Sequence, residues 1–122
     1  MSYDRAMLPM QRTSRSEIDD LLQRTASLDE SDRARALQSL CPCHVKRNET
    51  RVWDRVLELV NDPSAKVRSH VLHLLADGSP RERQDEVVQA VEKLQSDPDH
   101  RLRRRARKLL AQYRRGGRIN VL

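Results

Sequence analysis

Apolar residues recur along this chain every three or four positions, which is the period of one face of an α-helix. The pattern is clearest over residues 97–115, where each helical residue turns by about 100° from the one before. One side of that wheel carries an apolar stripe made of Leu102, Ala106, Leu109, Leu110 and Tyr113. Arginine and lysine cover most of the remaining surface. The segment is therefore predicted to be a helix that buries its stripe and presents a basic face.

The same spacing predicts six helices separated by short segments with turn and capping residues. Their expected ranges are 15–26, 31–41, 49–61, 63–76, 80–95 and 98–114. Asp62 and Asp97 are expected to cap the two helices that begin with a proline, because aspartate is a favourable N-cap. Gly78 is expected to end the fourth helix in a left-handed conformation, and Gly116 and Gly117 to end the sixth.

The chain contains an internal sequence repeat, which is clearest in its second half. Residues 61–75 match residues 96–110 at an offset of 35, and a weaker third copy precedes them at an offset of 34. The matched pairs include Asp62 with Asp97, Pro63 with Pro98, Arg68 with Arg103 and Leu74 with Leu109. A period of this length is typical of stacked helical hairpins, none of which can bury its apolar stripe alone.

The repeats are similar to HEAT repeats, because two copies of the motif D-P-x-x-x-[VL]-R precede paired leucines. The resemblance covers residues 16–115 and extends to the HEAT-like repeats of phycobilin lyases and of a bacterial alkylpurine DNA glycosylase family. It implies an all-α fold, a short right-handed α-solenoid of about three hairpins and six helices. The sequence outside the resemblance predicts a flexible arm or a strap for residues 1–15 and a C-terminal tail for residues 116–122.

The resemblance also implies roles for some residues. In HEAT proteins a turn aspartate and the arginine that follows it often form a ladder between repeats, so four residues would be structural: Asp62, Arg68, Asp97 and Arg103. The family implies a binding surface, usually for proteins and sometimes for nucleic acids, and it implies no reaction. Glycosylase activity is not transferred, because the single tryptophan, Trp53, borders the apolar stripe and is expected in the core.

The charge of the chain is concentrated at its C-terminal end. The formal net charge is +6, yet residues 99–122 hold nine arginines or lysines and one acid. Such a segregated excess indicates an anionic partner, either an acidic protein surface or a nucleic-acid backbone. The candidate binding residues are Arg68, Arg101, Arg104, Arg105, Arg107, Lys108, Arg114 and Arg115. A membrane partner is not expected because the core requires the apolar face of the last helix, and no small-molecule substrate is indicated.

The segment Cys41-Pro-Cys43-His44 contains residue types that bind zinc, and His73 follows on the fourth predicted helix. The spacing is not that of paired zinc knuckles, and Cys41 aligns with a core leucine of the next repeat. The primary prediction is therefore a packed turn, with no metal or cofactor and no enzymatic activity. A zinc-binding or enzyme-accessory protein that uses Cys41, Cys43, His44 and His73 is the alternative. Two close cysteines, with no disulfide framework or leader segment, indicate the cytoplasm.

Overall fold

The computed structural model describes residues 13–41, 49–117 and 119. Within them lie six α-helices: α1 (Arg15–Arg24), α2 (Glu30–Ser39), α3 (Thr50–Glu58), α4 (Ala65–Gly78), α5 (Gln84–Leu94) and α6 (His100–Gly116). A 3₁₀ turn, Leu59–Asn61, extends α3, and a second one, Arg81–Arg83, precedes α5. These residues include no strand. The predicted all-α fold and the approximate positions of its helices are confirmed.

The helices pack as three hairpins that form two layers. The hairpins are α1 with α2, α3 with α4, and α5 with α6. The second helices contact one another in the order α2, α4, α6, and α3 contacts α5 in the other layer. The result is a small α-solenoid in which the apolar stripes meet between the layers and form one continuous core.

Four of the five residues in the predicted apolar stripe of α6 are buried, and the fifth, Tyr113, is partly buried. The structure also buries residues that the helical wheel missed. Leu72 is only 2% exposed although it lies outside the stripe that the helical period predicts for α4, which is Val67, Val71, Leu74 and Leu75. Helix α4 is central and contacts α2, α3 and α6, so it buries more than one face. Trp53 is 4% exposed and belongs to the core, as predicted. Among the described large apolar residues only Leu28 is fully exposed.

The predicted helix caps at Asp62 and Asp97 are wrong by two residues. The side chains that cap α4 and α6 belong to Ser64 and Asp99. Each predicted aspartate instead accepts a hydrogen bond from the backbone N–H of the true capping residue, at 2.9 Å for Asp62 and 2.8 Å for Asp97. Aspartate readily closes such a turn with the backbone two residues further on. The prolines therefore lie before the helices and not in their first turns.

The two predicted glycine stops have different outcomes. Gly78 remains within α4, and the helix ends at Ser79, whose backbone is extended. Because Pro80 follows, Ser79 is restricted to extended conformations, and no left-handed residue is needed there. Gly117 does adopt a left-handed conformation, with φ of 75°, and its N–H donates to the carbonyl of Tyr113. This end of α6 is as predicted.

One residue of the C-terminal tail returns to the core. Ile119 is 6% exposed, and its backbone N–H donates to Oε1 of Gln84 at the start of α5. The side-chain N–H of Gln84 also donates to the backbone carbonyl of Gly117. These contacts hold the tail at the end of the α5–α6 hairpin that lies away from the Asp97 turn. None of the described helices has the length and apolar composition needed to cross a bilayer.

Candidate functional site

Two arginine–aspartate pairs connect successive hairpins. Arg33 in α2 donates from Nε and Nη2 to the two carboxylate oxygens of Asp62, at 2.9 and 3.0 Å. Arg68 in α4 makes the same forked contact with Asp97, at 2.7 and 3.1 Å. The Nη1 of each arginine donates to a backbone carbonyl in the turn before its own helix. Each pair therefore joins the second helix of one hairpin to the turn of the next.

Arg68 does not belong to the exposed basic face on which the sequence pattern placed it. Its side chain is 12% exposed, and its donors are directed to the Asp97 carboxylate and the Asp62 carbonyl. Arg33, which was not among the candidate residues, holds the equivalent position one repeat earlier. A signal for it existed, because the offset of 35 that relates Arg68 to Arg103 also relates it to Arg33.

The surroundings of Asp97 favour its charged form. Burial alone would raise the pKa of this carboxyl group, but hydrogen bonds from Arg68 and from the backbone N–H of Asp99 outweigh burial and lower the pKa. The positive charges of Arg68 and Arg103 act in the same direction. Asp97 therefore stays ionised at neutral pH, which keeps its ion pair with Arg68 intact.

Arg103 occupies the third position of this ladder and lacks the carboxylate that its two equivalents hold. Its Nη1 donates to the carbonyls of Asp97 and Pro98, at 3.0 and 3.2 Å, and its Nη2 lies 3.4 Å from Nδ1 of His100. No carboxylate of the described residues lies within ion-pair distance of Arg103. We call this arginine the open rung, because the described residues contain no further hairpin that would supply a carboxylate to it.

Four cationic side chains of α6 line a shallow groove of about 380 Å³: Arg101, Arg104, Arg105 and Lys108. They are spaced as one face of a helix, and all four are exposed. Arg105 donates from Nη1 to Oγ of Ser69 at 2.7 Å, which places the groove beside α4. Among the described residues, none of the four forms an ion pair. We call these four residues the basic groove.

The other predicted basic residues lie elsewhere on α6. At 100° per residue, Arg107 and Arg114 fall on the flank of Arg103, away from the basic groove. Arg115 has the angular position of the groove but lies beyond it, near the end of the helix. The predicted basic face is therefore two surfaces, one beside α4 and one at the end of the stack.

Three potential metal ligands meet where the end of α2 contacts α4. Sγ of Cys41 lies 3.6 Å from Nε2 of His73 and 3.2 Å from Oδ2 of Asp77. Cys41 is buried, whereas the other two residues are exposed. Asp77 was not among the candidate ligands, although it follows His73 by four residues, one helical turn. The remaining sequence candidates, Cys43 and His44, lie outside the described residues.

The arrangement does not match a nucleophilic triad. In a triad the acid orients the histidine, and the histidine activates the nucleophile. Here Asp77 contacts Cys41 directly, and the described side chains of His73 and Asp77 form no hydrogen bond with each other.

His70 lies on α4 beside the basic groove and is partly buried. Burial lowers its pKa most, and the positive charges of His73, Lys66 and Arg105 lower it further. The lowered pKa keeps His70 neutral at pH 7. Neutral histidine adds no further repulsion to the cations of α6.

The free energy of unfolding is expected to fall as the pH is lowered from about 7 to about 5, and His70 is expected to cause part of the fall. The unfolded chain binds a proton at the ordinary histidine pKa of about 6.5, whereas the folded chain binds it only at lower pH. The unfolded state therefore holds more protons below about pH 6.5, so stability is lost there. Urea titrations at several pH values measure this dependence.

A matched pair of variants separates His70 from the other histidines. His70→Gln should flatten the dependence of stability on pH. His100→Gln removes an exposed histidine at the first residue of α6 and should leave most of the dependence in place. Identical slopes for both variants and the wild type would contradict the role of His70.

Comparison with protein families finds a match that covers all three hairpins. A family model described as HEAT repeats matches residues 18–112. Comparisons with curated proteins and with solved structures found no match. HEAT repeats generally act as scaffolds for protein interaction and are generally non-enzymatic. Because the matched residues span most of the chain and the described helices form the stacked hairpins expected from it, the chain belongs to the HEAT-repeat family.

Proposed function

We propose that this protein is a non-enzymatic interaction module that binds an acidic segment of a partner protein along α6. The observation that carries the proposal is the basic groove, in which Arg101, Arg104, Arg105 and Lys108 converge with no acid of the described residues beside them. Four like charges in one groove repel one another. A bound anionic segment relieves that repulsion, and arginine can hold a carboxylate through two parallel hydrogen bonds.

Seven of the nine described arginines outside α6 form an ion pair with another described residue, and this contrast supports the proposal. Ion pairs outside α6 include Arg24 with Asp20, Arg33 with Asp62, Arg35 with Asp32, Arg51 with Asp19, Arg55 with Glu58, Arg68 with Asp97 and Arg83 with Asp54. No arginine of α6 forms such a pair with a described residue. The uncompensated charge is thus a local property of one helix and suits a docking surface better than a general role in solubility.

Two further observations favour a protein partner over a nucleic acid. The open rung, Arg103, repeats the position at which Arg33 and Arg68 each hold an aspartate, so its fork suits a carboxylate. The groove has no aromatic residue on which a base could stack, and Trp53 is buried in the core. The general role of HEAT repeats as protein scaffolds points in the same direction.

Charge reversal in the basic groove is expected to remove binding without unfolding the protein. The variant is Arg104→Glu/Arg105→Glu/Lys108→Glu, and the probe is a fluorescently labelled peptide rich in aspartate and glutamate. Exposed ion pairs contribute up to about 1 kcal/mol each, so the affinity should fall on the order of 10- to 100-fold. Fluorescence anisotropy measures the binding, and circular dichroism verifies that the helices remain.

A control variant with the same change in net charge is Arg15→Glu/Arg24→Glu/Arg35→Glu. These three arginines are exposed on α1 and α2, away from the basic groove. The control should keep most of the affinity for the acidic peptide. Equal losses in both variants would mean that net charge, and not the groove, determines binding.

Nucleic acids are tested with the same two variants. Labelled duplex DNA, single-stranded DNA and RNA are titrated across a salt series, where four phosphate contacts would give a slope of about −4 in log K against log salt. If a nucleic acid binds in a groove-dependent way and the acidic peptide does not bind, the partner is a nucleic acid and the proposed protein partner is wrong. Absence of binding to every probe at low salt would refute the docking surface.

A further inference from the structure

The cluster of Cys41, His73 and Asp77 lies apart from the basic groove and is not used by the proposed docking function. Its three potential ligand atoms, a sulfur, a nitrogen and a carboxylate oxygen, all lie within 4.8 Å of one another. Cys41 follows α2, and the other two residues stand one turn apart on α4. Two residues spaced by four on a helix present their side chains on the same face.

The distances within the cluster are close to those of a tetrahedral metal site. With zinc–sulfur bonds of about 2.3 Å and zinc–nitrogen or zinc–oxygen bonds of about 2.0–2.1 Å, tetrahedral ligand atoms lie about 3.4–3.6 Å apart. The observed separations from the Cys41 sulfur are 3.6 Å to His73 and 3.2 Å to Asp77. An ion could therefore be bound with small movements of exposed side chains.

The ligand set selects a class of metal. Thiolate and imidazole suit zinc and similar borderline ions, whereas magnesium and calcium prefer ligands that are all oxygen. Exposure of His73 and Asp77 gives an ion a path from solvent and leaves a fourth position for water. Cys41 must lose its proton to bind the ion, so binding should weaken at acidic pH.

The repeat itself does not require these residues. In the equivalent contact, between the second and third hairpins, the positions that align with Cys41, His73 and Asp77 hold Leu75, Lys108 and Gln112. None of these three is a zinc ligand. The ligand types are therefore specific to the contact between the first and second hairpins.

We infer that Cys41, His73 and Asp77 bind one divalent ion of the zinc type and thereby link the end of α2 to α4. The ion would join the first hairpin, whose sequence repeat is the weakest, to the second one. A bound ion stabilises the folded state because the unfolded chain does not hold the three ligands together. The inference is independent of the docking function.

The test uses the full chain, purified without a polyhistidine tag. Metal content is measured by mass spectrometry, and the metal-free protein is titrated with zinc and with cobalt. We expect one ion per chain, a rise in the melting temperature, and a near-ultraviolet absorption band from thiolate bound to cobalt. A wild-type protein that takes up neither zinc nor cobalt would overturn the inference, and so would one that takes up only magnesium or calcium.

Variants assign the ligands. His73→Gln and Asp77→Asn change exposed side chains, so both should remain folded and lose stoichiometric zinc. Cys41→Ser should abolish the thiolate band, and Cys43→Ser and His70→Gln are controls that should retain zinc. Zinc binding that survives His73→Gln and Asp77→Asn, or a thiolate band that depends on Cys43 and not on Cys41, would disprove this ligand set.

Discussion

Leu74→Ala is expected to lower the free energy of unfolding by about 3–5 kcal/mol, one of the two largest effects among the variants considered. Leu74 is completely buried in α4, the central helix, which has neighbours on both sides in its layer. Truncation removes apolar contacts and leaves a cavity that the rigid surroundings only partly fill. Urea titration followed by circular dichroism measures the loss.

Two further leucines, which differ from Leu74 in burial, serve as comparisons for the loss of stability. Leu109 is the equivalent residue in α6, and its 8% exposure in the last helix of the stack predicts a smaller cost for Leu109→Ala, about 2–3 kcal/mol. Leu28 is fully exposed, so Leu28→Ala should change stability by less than about 0.5 kcal/mol. If Leu109→Ala left stability unchanged, α6 would not be packed against α4 and α5 in solution.

Asp97→Ala is expected to cost about 3–5 kcal/mol, the second large effect. The side chains of Asp97 and Arg68 are only 5% and 12% exposed, and removal of one partner leaves the other charge largely buried and unpaired. The variant also removes the acceptor for the backbone N–H of Asp99. The measurement is the change in the urea midpoint at neutral pH.

The control for Asp97→Ala is Asp20→Ala, which breaks the exposed i,i+4 pair of Asp20 with Arg24. Their side chains are 58% and 66% exposed, so the expected cost is below about 1 kcal/mol. Similar losses of stability in Asp97→Ala and Asp20→Ala would show that the ion pair of Arg68 with Asp97 is not buried in solution.

The stability that Asp97 contributes also depends on pH, because its pKa is lowered in the folded state. This contribution to the free energy of unfolding should be present above about pH 4, the ordinary pKa of aspartate, and be lost as the pH falls below that value.

Several features of this protein could be predicted from sequence because they follow from the spacing of residue types, either within one or two helical turns or from one repeat to the next. The period of the apolar residues located six helices, and the offset of 35 located the hairpins. The convergence of Arg101, Arg104, Arg105 and Lys108 was also predictable, since their spacing alone places them on one face of α6. The end of α6 at Gly117 was predictable because two glycines follow the last apolar position.

Turn chemistry was less predictable, because one residue type can satisfy several local geometries. Asp62 and Asp97 have the right identity for helix caps, yet each closes a turn two residues earlier and accepts an arginine from the preceding hairpin. Gly78 could have ended α4 in a left-handed conformation, but the restriction that Pro80 imposes on Ser79 ends the helix without it.

Contacts between hairpins were decided by the tertiary structure alone. From sequence, Arg68 could be either a solvent-facing cation or a residue of the arginine–aspartate ladder. It belongs to the ladder because the stacking of the hairpins brings Asp97, 29 residues away, to its side chain. Leu72 is buried because α4 has neighbours on several sides, which the wheel of a single helix does not reveal. Cys41 meets Asp77 across 36 residues. Helical periodicity is a property of adjacent turns, whereas these partners depend on how the hairpins stack, and that packing is set by the whole core.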